Sequence, residues 1–390
     1  MTWTRERPTG LVYRDPEQSW DGYTLFCSVT GHHATLLSPE GQVVHRWQQH
    51  EGIQHAHFLE NGNLLIQTGP FRHAEGRQNM GGNAGAMMEL DWDSNVVWAY
   101  RNPAMHHAYE RLPNGNHIVL AWYPVPDEYR KRIQGGHSHE SVEVTWGDVI
   151  LEIDRSGVVV RRWNSWEHFD PELDRICPLE THKEWGHANA LSMTPNGDWL
   201  VSFRATSQVM LIDPDSGEIK WRYGAEDEHL EMPLSHQHAP TWLDNGNILI
   251  FDNGCHRPRA PAFSRVIEVN PETREIVWKY QADVMLAFYS FMCSGASRLP
   301  NGNTFITESA TGRLFEVTPE GETVWEYVSP FHFRSRFGRT PFVFRAYRYA
   351  LDDPRFQGRK FDPADHAELN GLIEAGDVPD NYADPGRRKR

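Results

Sequence analysis

The sequence predicts an all-β fold, a six-bladed β-propeller, from two recurring patterns and their spacing. An Asn-Gly or Asp-Gly pair followed by an apolar run occurs six times, at Asp21-Gly22, Asn61-Gly62, Asn114-Gly115, Asn196-Gly197, Asn245-Gly246 and Asn301-Gly302. A Trp that closes an alternating stretch also occurs six times, at Trp47, Trp98, Trp163, Trp221, Trp278 and Trp325. Asn-Gly between apolar runs is a strong hairpin signal, because type I′ turns need positive φ at both central residues.

The spacing of the Trp residues indicates the architecture. Successive Trp residues are 47 residues apart at the shortest, from Trp278 to Trp325, and 65 at the longest, from Trp98 to Trp163. A second turn precedes most of them, so each repeat contains about four strands. Four-stranded repeats of this length are typical of propeller blades, whereas helical solenoids would show a 3.6-residue pattern that is missing from the first 350 residues.

The two ends of the chain are expected to meet in one blade. Five of the turns follow an inner-strand segment, at residues 55–59, 107–112, 187–193, 238–243 and 294–299. The first turn, Asp21-Gly22, has no such segment, and residues 340–349 are apolar and aromatic enough to supply it. We therefore predict a propeller over residues 1–350, closed by a C-terminal strand that removes exposed sheet edges. Residues 351–390 form a C-terminal extension, with a short helix, that packs at the periphery or makes a homo-oligomer contact.

Composition and the N-terminal residues indicate which partners and which compartment to expect. The net charge of -15 argues against a nucleic-acid partner, which needs a clustered basic surface. The N-terminal residues contain no apolar stretch suited to a signal peptide or a membrane span, so a cytoplasmic protein with no membrane partner is expected. The four cysteines show no CxxC pairing and are predicted to be free thiols.

Histidines recur at the inner-strand position of the repeat. They are His55 and His57, His106 and His107, His187, and His238. The fifth repeat has Cys293 or Ser294 there, and the C-terminal strand has a residue near Arg345. A single histidine is explained by hydrogen bonding to nearby backbone, but apolar packing gives no reason for histidine in four blades of six. The set therefore predicts a catalytic or binding site on the propeller axis.

Five segments carry a resemblance to a known family. They are Met105-His106-His107, residues 185–191 (WGHANAL), residues 201–209 (VSFRATSQV), Gln237-His238-Ala239 with the following Phe251-Asp252-Asn253-Gly254, and residues 294–303 (SGASRLPNGN). With these segments the chain resembles the bacterial arylsulfate sulfotransferases, which are six-bladed, from about residue 20 to residue 350. The absence of a signal peptide, an N-terminal β-domain and a disulfide resembles the short, cytoplasmic-type branch.

The resemblance implies an aryl sulfotransferase that works without a nucleotide donor (PAPS) and without a cofactor. A small-molecule aromatic sulfate ester gives its sulfuryl group to a phenol. His238 is implied as the nucleophile that forms a sulfohistidine. Arg204 and His187 are implied as ligands of the sulfate oxygens, and His107 or its neighbour His106 as the proton carrier.

Other residues are expected to contact substrate. His55, His57 and His236 have no assigned place in the sulfotransfer scheme, and Tyr289 and Trp185 are aromatic side chains near inner-strand ends. We expect all five to line the substrate site, although core packing explains the aromatic ones as well.

Two other functions compete with sulfotransfer. In the first, a metal-dependent lyase or oxidoreductase binds Mn, Fe or another divalent metal through His55, His107, His187 and His238 on the axis. In the second, the propeller is a non-catalytic interaction scaffold whose rim matters and whose axis does not.

Overall fold

The computed structural model describes residues 8–29, 31–69, 80–138, 141–224, 232–257, 260–335, 338–380 and 382. The chain divides into two compact units, Met1–Gly69 with Met87–Ala99 and Cys293–Arg390 as the first, and Pro70–Ala86 with Tyr100–Met292 as the second. Within the described ranges, no helix combines the length and apolar character needed to cross a bilayer.

The first unit contains three blades. Their sheets have the strand orders β30-β2-β3-β4, β5-β6-β7-β8 and β1-β27-β26-β25-β24. The strands are β1 (Gly10–Arg14), β2 (Gly22–Ser28), β3 (His33–Leu37), β4 (Val43–Gln48), β5 (His55–Phe58), β6 (Leu64–Thr68), β7 (Ala86–Leu90), β8 (Val96–Arg101), β24 (Gly295–Arg298), β25 (Thr304–Glu308), β26 (Arg313–Val317), β27 (Thr323–Val328) and β30 (Val343–Ala350), with a small hairpin of β28 (Phe333–Ser335) and β29 (Gly338–Thr340).

The second unit also contains three blades. Their strand orders are β9-β10-β12-β13, β16-β17-β18-β19 and β20-β21-β22-β23. The strands are β9 (Met105–Arg111), β10 (His117–Pro124), β11 (Gly135–His137), β12 (Trp146–Ile153), β13 (Val159–Asn164), β14 (Ile176–Thr181), β15 (Glu184–Trp185), β16 (Ala188–Met193), β17 (Trp199–Phe203), β18 (Gln208–Ile212), β19 (Ile219–Gly224), β20 (His238–Trp242), β21 (Ile248–Asp252), β22 (Arg265–Val269) and β23 (Ile276–Tyr280). Together the six sheets confirm the six-bladed β-propeller.

Helices are short. The α-helices are α1 (Asp127–Arg130), α2 (Ser165–His168) and α3 (Ala367–Ala375), and single 3-10 turns lie at Met285–Ala287, Ser309–Thr311, Pro354–Phe356 and Pro363–His366. Helix α3 is the one expected in the C-terminal segment. It packs Leu369 and Ile373 into the core of the first unit beside Trp325 and Tyr327. The proposed boundary at residue 350 stays a prediction.

The C-terminal strand closes the first blade. Strand β30 pairs antiparallel with β2, from Gly22 opposite Ala350 to Ser28 opposite Val343. Strand β2 pairs with β3 on its other side, so neither edge of β2 is left exposed. The predicted closure by residues 340–349 is confirmed, with the strand beginning at Val343.

Three of the recurring Trp residues bond the following blade of their own unit. Within the second unit, Trp163 Nε1 donates to Gly217 O at 3.0 Å and Trp221 Nε1 donates to Pro271 O at 3.0 Å. In the first unit, Trp325 Nε1 donates to Pro39 O at 2.9 Å. In each case the acceptor lies in the turn between the third and fourth strands of the following blade, which explains why Trp and this turn recur together.

The Asn-Gly turns differ in type from the type I′ turn that the sequence predicts. At the first of them, Gly62 N donates to Leu59 O at 2.9 Å, and φ is positive at Gly62 but not at Asn61. This is a type I turn followed by a left-handed glycine. The residue after glycine adds a further bond, since Asn63 Nδ2 donates to Glu89 Oε1 at 2.7 Å. Asn116, Asn247 and Asn303 bond Glu152, Glu268 and Glu316 in the same way.

Candidate active site

Two histidines enter the site from a left-handed backbone in the second unit. His107 has φ 45° and His187 has φ 54°, values that non-glycine residues seldom adopt. Glycine makes room beside both. A Cβ on Gly82 would lie 2.1 Å from the His107 ring, and one on Gly186 would lie 2.2 Å from Asp148 Oδ2. The local backbone is therefore shaped to present these two rings.

His107 and His187 contact each other. Their ring centroids are 4.7 Å apart, with the planes at 68°. His187 Nδ1 hydrogen-bonds the carboxylate of Glu184, which orients the ring and leaves Nε2 directed elsewhere. The His187 side chain keeps 12% of its surface exposed. Its imidazole is thus both fixed and accessible.

His106 lies beside His107 and packs on Trp122. Its ring is fully buried and stacks on Trp122, with centroids 3.9 Å apart and planes at 6°. Its Nδ1 lies 2.9 Å from His107 Nδ1, and its Nε2 lies 3.5 Å from Asp148 Oδ1. Between the two adjacent histidines, His107 is therefore the one that meets His187.

Asp148 joins these histidines to the next blade. The amide of Ala188, directly after His187, donates to Asp148 Oδ1 at 2.9 Å. Burial raises the pKa of Asp148 well above its usual value, although this amide hydrogen bond opposes the shift. The Asp148 carboxyl thus lies between the His106 ring and the backbone that follows His187.

Arg204 lies on the chain directly after β17. Its backbone amide donates to His187 O at 3.0 Å, and its Nη1 donates to Glu180 Oε1 at 2.7 Å. Burial raises the pKa of Glu180, but the hydrogen bond with His236 and the charge of Arg204 outweigh it and leave that pKa lowered. An ionised carboxylate therefore holds Arg204 in place, while 19% of the Arg204 side chain stays exposed.

His238, the first residue of β20, has a defined tautomer. Its Nδ1 lies 2.7 Å from Asn253 Oδ1 and 3.1 Å from His236 O. Asn253 Nδ2 donates to Ser290 O at 2.7 Å, which fixes Oδ1 as the atom facing His238. Because both neighbours of Nδ1 are acceptors, Nδ1 carries the proton and the lone pair of the neutral ring is on Nε2.

The electrostatics of His107 show that the predicted residues form one cluster. Its pKa lies well below the usual value, first because the ring is buried and then because of the positive charge that His187, His106, His238 and Arg204 carry or acquire. Each of these four side chains is thus within electrostatic reach of His107, and His107 is neutral at pH 7.

Three further predicted residues lie in the same unit. His236 is fully buried, with Nδ1 3.0 Å from Cys255 O and Nε2 3.1 Å from Glu180 Oε1. Tyr289 donates its hydroxyl to Cys255 Sγ at 3.8 Å, and burial raises its pKa to about 12. Trp185 is 1% exposed and donates Nε1 to Asp174 O at 2.7 Å. Their part in substrate binding stays a prediction.

His55 and His57 belong to the first unit, where their surroundings are aromatic and cationic. His55 Nε2 lies 2.6 Å from the Tyr347 hydroxyl. Burial and the charges of Arg345 and Arg355 lower the pKa of His57 to about 4. The four-histidine metal site predicted from His55, His107, His187 and His238 draws on both units and stays a prediction.

Sequence reasoning missed the polar side chains that orient the histidines. These are Asp148, Glu180, Glu184 and Asn253. Asn253 stands within Phe251-Asp252-Asn253-Gly254, one of the segments that carry the family resemblance. Glu184 precedes His187 by three residues. Glu180 and Asp148 carry no such local signal, because tertiary structure alone brings them to Arg204 and His106.

The fold and this cluster define a β-propeller with an enzyme-type site, in which histidines and an arginine are held by carboxylates and an amide. A family model described as Arylsulfotransferase (ASST) matches residues 39–330. The chain therefore belongs to the arylsulfotransferase family, and this membership supports aryl sulfotransferase activity in general terms.

Comparison with solved structures supports the fold. A protein of unknown function from Bacteroides caccae aligns with a TM-score of 0.53 and 16% sequence identity, over 84% of this chain and 99% of that one. A virginiamycin B lyase from Staphylococcus aureus aligns with a TM-score of 0.42 and 10% identity, over 79% of this chain and 87% of that one, a similarity too low to indicate shared chemistry. No curated protein matches the chain significantly.

Proposed function

We propose that this protein moves a sulfuryl group from an aryl sulfate to a phenolic acceptor through a covalent sulfohistidine on His238. One observation carries the proposal: Asn253 Oδ1, 2.7 Å from His238 Nδ1, holds the ring in the tautomer with its lone pair on Nε2. A neutral imidazole nitrogen with a lone pair is a nucleophile toward sulfur, and covalent catalysis divides one displacement into two.

In the first half-reaction, Nε2 of His238 forms a bond to sulfur while the bond between sulfur and the aryl oxygen breaks. The phenol leaves with the electron pair of that bond. In the second, the oxygen of the acceptor phenol forms the new bond to sulfur, the N–S bond breaks, and its electron pair returns to Nε2. The first displacement is repeated in reverse, so no oxidant or reductant is needed.

Arg204 and His187 suit the charge on the transferred group. The guanidinium is permanently charged and planar, and part of it is exposed even though Nη1 is bonded to Glu180. His187, held by Glu184, presents its other ring nitrogen. Donors fixed before the reaction stabilise charge that develops in the transition state, because they need no reorganisation.

His107 is the group placed to exchange a proton with phenol oxygens. It is neutral at pH 7 and contacts His187. A bound sulfate ester is negatively charged and raises the pKa of His107 again, because part of the depression comes from neighbouring positive charge. The ring then gives a proton to the leaving phenolate and later removes one from the acceptor phenol.

The test is an intact-mass measurement on protein mixed with a chromogenic aryl sulfate before acceptor is added. We expect one SO3 adduct per chain, which disappears when a phenol is added. His238→Asn should abolish both the adduct and turnover. His137→Asn is the matched control, since His137 is exposed and bonds Ser138 Oγ at 2.7 Å, and it should form the adduct as the wild type does.

An adduct that persists in His238→Asn would refute the assignment of the nucleophile. Steady turnover with no adduct on rapid quenching would refute the two-step route. A chelator arm tests the metal-dependent alternative: turnover that is lost to chelator and restored by Mn or Fe, without any SO3 adduct, would favour that alternative over sulfotransfer through histidine.

A further inference from the structure

A second group of potential ligands lies in the second unit, next to Glu180, the carboxylate that bonds Arg204. Strand β14 contributes Cys177 and Glu180, the segment before β20 contributes His236, and the loop after β21 contributes His256. The metal-binding atoms of Cys177, His236 and His256 all lie within 4.8 Å of one another. Three separate segments therefore converge on one point.

The distances between these atoms approach those of a tetrahedral metal site. Cys177 Sγ lies 3.7 Å from His256 Nδ1. Glu180 Oε1 lies 3.1 Å from His236 Nε2 and 3.7 Å from His256 Nδ1. Around a tetrahedral Zn²⁺, with bonds of about 2.0 to 2.3 Å, neighbouring ligand atoms are about 3.3 to 3.6 Å apart. The separation of Cys177 and His256 is within a few tenths of an ångström of such an edge, and that of the other ligand pairs is within 4.8 Å.

The outer contacts of His236 fit metal binding. Its Nδ1 lies 3.0 Å from Cys255 O, so Nδ1–H donates to this carbonyl, and a metal ion would take the place of the proton that Nε2 shares with Glu180 Oε1. A ligating histidine commonly donates its other ring N–H to a backbone carbonyl in this way. The carbonyl thus prepares His236 as a neutral ligand.

The backbone at both histidines is unusual. His236 has φ 58° and His256 has φ 56°, a left-handed conformation that non-glycine residues adopt rarely and that recurs at functional sites. Two rings from different loops are therefore held toward each other by backbone conformations that the rest of the fold imposes.

We propose that Cys177, His236 and His256 form a three-ligand binding site for one divalent metal ion of the zinc class, with the Glu180 carboxylate next to it. A thiolate and two imidazoles suit a borderline-soft tetrahedral ion, whereas Mg²⁺ and Ca²⁺ take oxygen ligands. These residues differ from the four axis histidines of the metal-enzyme alternative. The proposal concerns metal binding alone and does not depend on the sulfotransfer reaction.

The test uses the full chain, freed of metal by chelation and titrated with Co²⁺. We expect saturation at one ion per chain, with a thiolate-to-cobalt charge-transfer band in the near ultraviolet and visible bands typical of tetrahedral cobalt. Zn²⁺ should displace the spectrum at one equivalent. Cys177→Ser should remove the charge-transfer band, while Cys255→Ser, the matched control whose thiol donates to Phe291 O at 3.0 Å, should keep it.

His256→Ala provides a second variant that is expected to fold, because 34% of that side chain is exposed. Loss of a single outer-shell partner weakens metal binding about 10- to 100-fold, so loss of this ligand should weaken Co²⁺ binding at least that much. The absence of a tetrahedral cobalt spectrum in the wild type would overturn the proposal, as would a charge-transfer band that survives Cys177→Ser.

Discussion

The histidines of the two compact units differ in what surrounds them. In the second unit a carboxylate or an amide bonds two of the site histidines: Glu184 bonds His187, and Asn253 bonds His238. In the first unit His55 lies against Tyr347 and Phe344, and His57 is near the charges of Arg345 and Arg355. The same residue type on equivalent strands is thus placed in two chemical environments.

Position in the repeat therefore does not by itself decide the chemistry of a histidine. Carboxylate and amide acceptors assign a proton to one ring nitrogen and a lone pair to the other. Burial and cationic neighbours lower the pKa of His57, as they lower that of His107 in the second unit. We therefore expect variants in the second unit to change catalysis and variants in the first unit to change stability.

The largest effect is expected from Arg204→Lys. A lysine keeps the charge but loses the planar fork, so kcat/KM for an aryl sulfate should fall about 10²- to 10³-fold, as for removal of one donor to a developing oxyanion. Steady-state assays with a chromogenic donor measure this. Arg155→Lys, on an exposed turn, is the control. A loss below threefold would remove Arg204 from the proposed sulfate site.

Asn253→Ala should slow formation of the SO3 adduct on the order of a hundredfold, because His238 then loses the acceptor that orients it. Rapid-quench mass measurement gives the rate of adduct formation separately from donor binding. We expect the rate to fall with little change in the donor concentration at half-saturation. An unchanged rate would show that Asn253 only supports the fold.

His57→Gln should make the free energy of unfolding fall less as the pH is lowered. The pKa of His57 is lowered from 6.5 to about 4 in the fold, so the unfolded chain takes up a proton first as pH falls. The contribution of His57 to the free energy of unfolding is fully present above pH 6.5 and is lost as pH falls through about 4. The expected loss is about 2 to 3 kcal/mol, a figure reduced because the ring is partly exposed. Urea unfolding at pH 7.5 and 4.5 measures the loss.

The control for that experiment is His50→Gln, because the His50 side chain is 85% exposed. Its unfolding free energy should depend on pH as the wild type does. If His57→Gln shows the wild-type dependence as well, His57 is not the group that limits stability in acid.

The smallest effect is expected from Tyr347→Phe. This change removes the hydroxyl 2.6 Å from His55 Nε2 and should cost about 1 kcal/mol of unfolding free energy, with kcat/KM unchanged. Urea unfolding and the donor assay measure the two quantities. A drop in kcat/KM of tenfold or more would instead place the first-unit histidines in substrate binding.

Much of the fold was predictable because its signals are local. The glycine of each turn, the Trp that follows, and the alternation between them lie within a few residues of one another. The predicted type of turn was wrong. The asparagine after the turn glycine bonds a glutamate on the third strand, as Asn63 bonds Glu89, which lies 26 residues away. Local reasoning does not reach such a partner.

The candidate site was predictable in part for the same reason. Histidines recur with the repeat, and Arg204 stands in one of the segments that carry the family resemblance. The cluster around His107 was therefore expected. Its partners were not, because Glu180 is 24 residues from Arg204 and Asp148 is 40 residues from Ala188. Cys177 and His256 are 79 residues apart, and neither belongs to a recognisable metal motif. The compartment and the oligomeric state stay predictions.

The pairing of β2 with β30 has a consequence for biosynthesis. Ser28 at the end of β2 is paired with Val343, so a ribosome that makes about 5 to 20 residues per second needs roughly 15 to 60 seconds to supply the partner strand. During that time the edge of β2 is available to other chains. The first blade therefore stays incomplete until the final strand has been made. A chaperone would matter most during this interval.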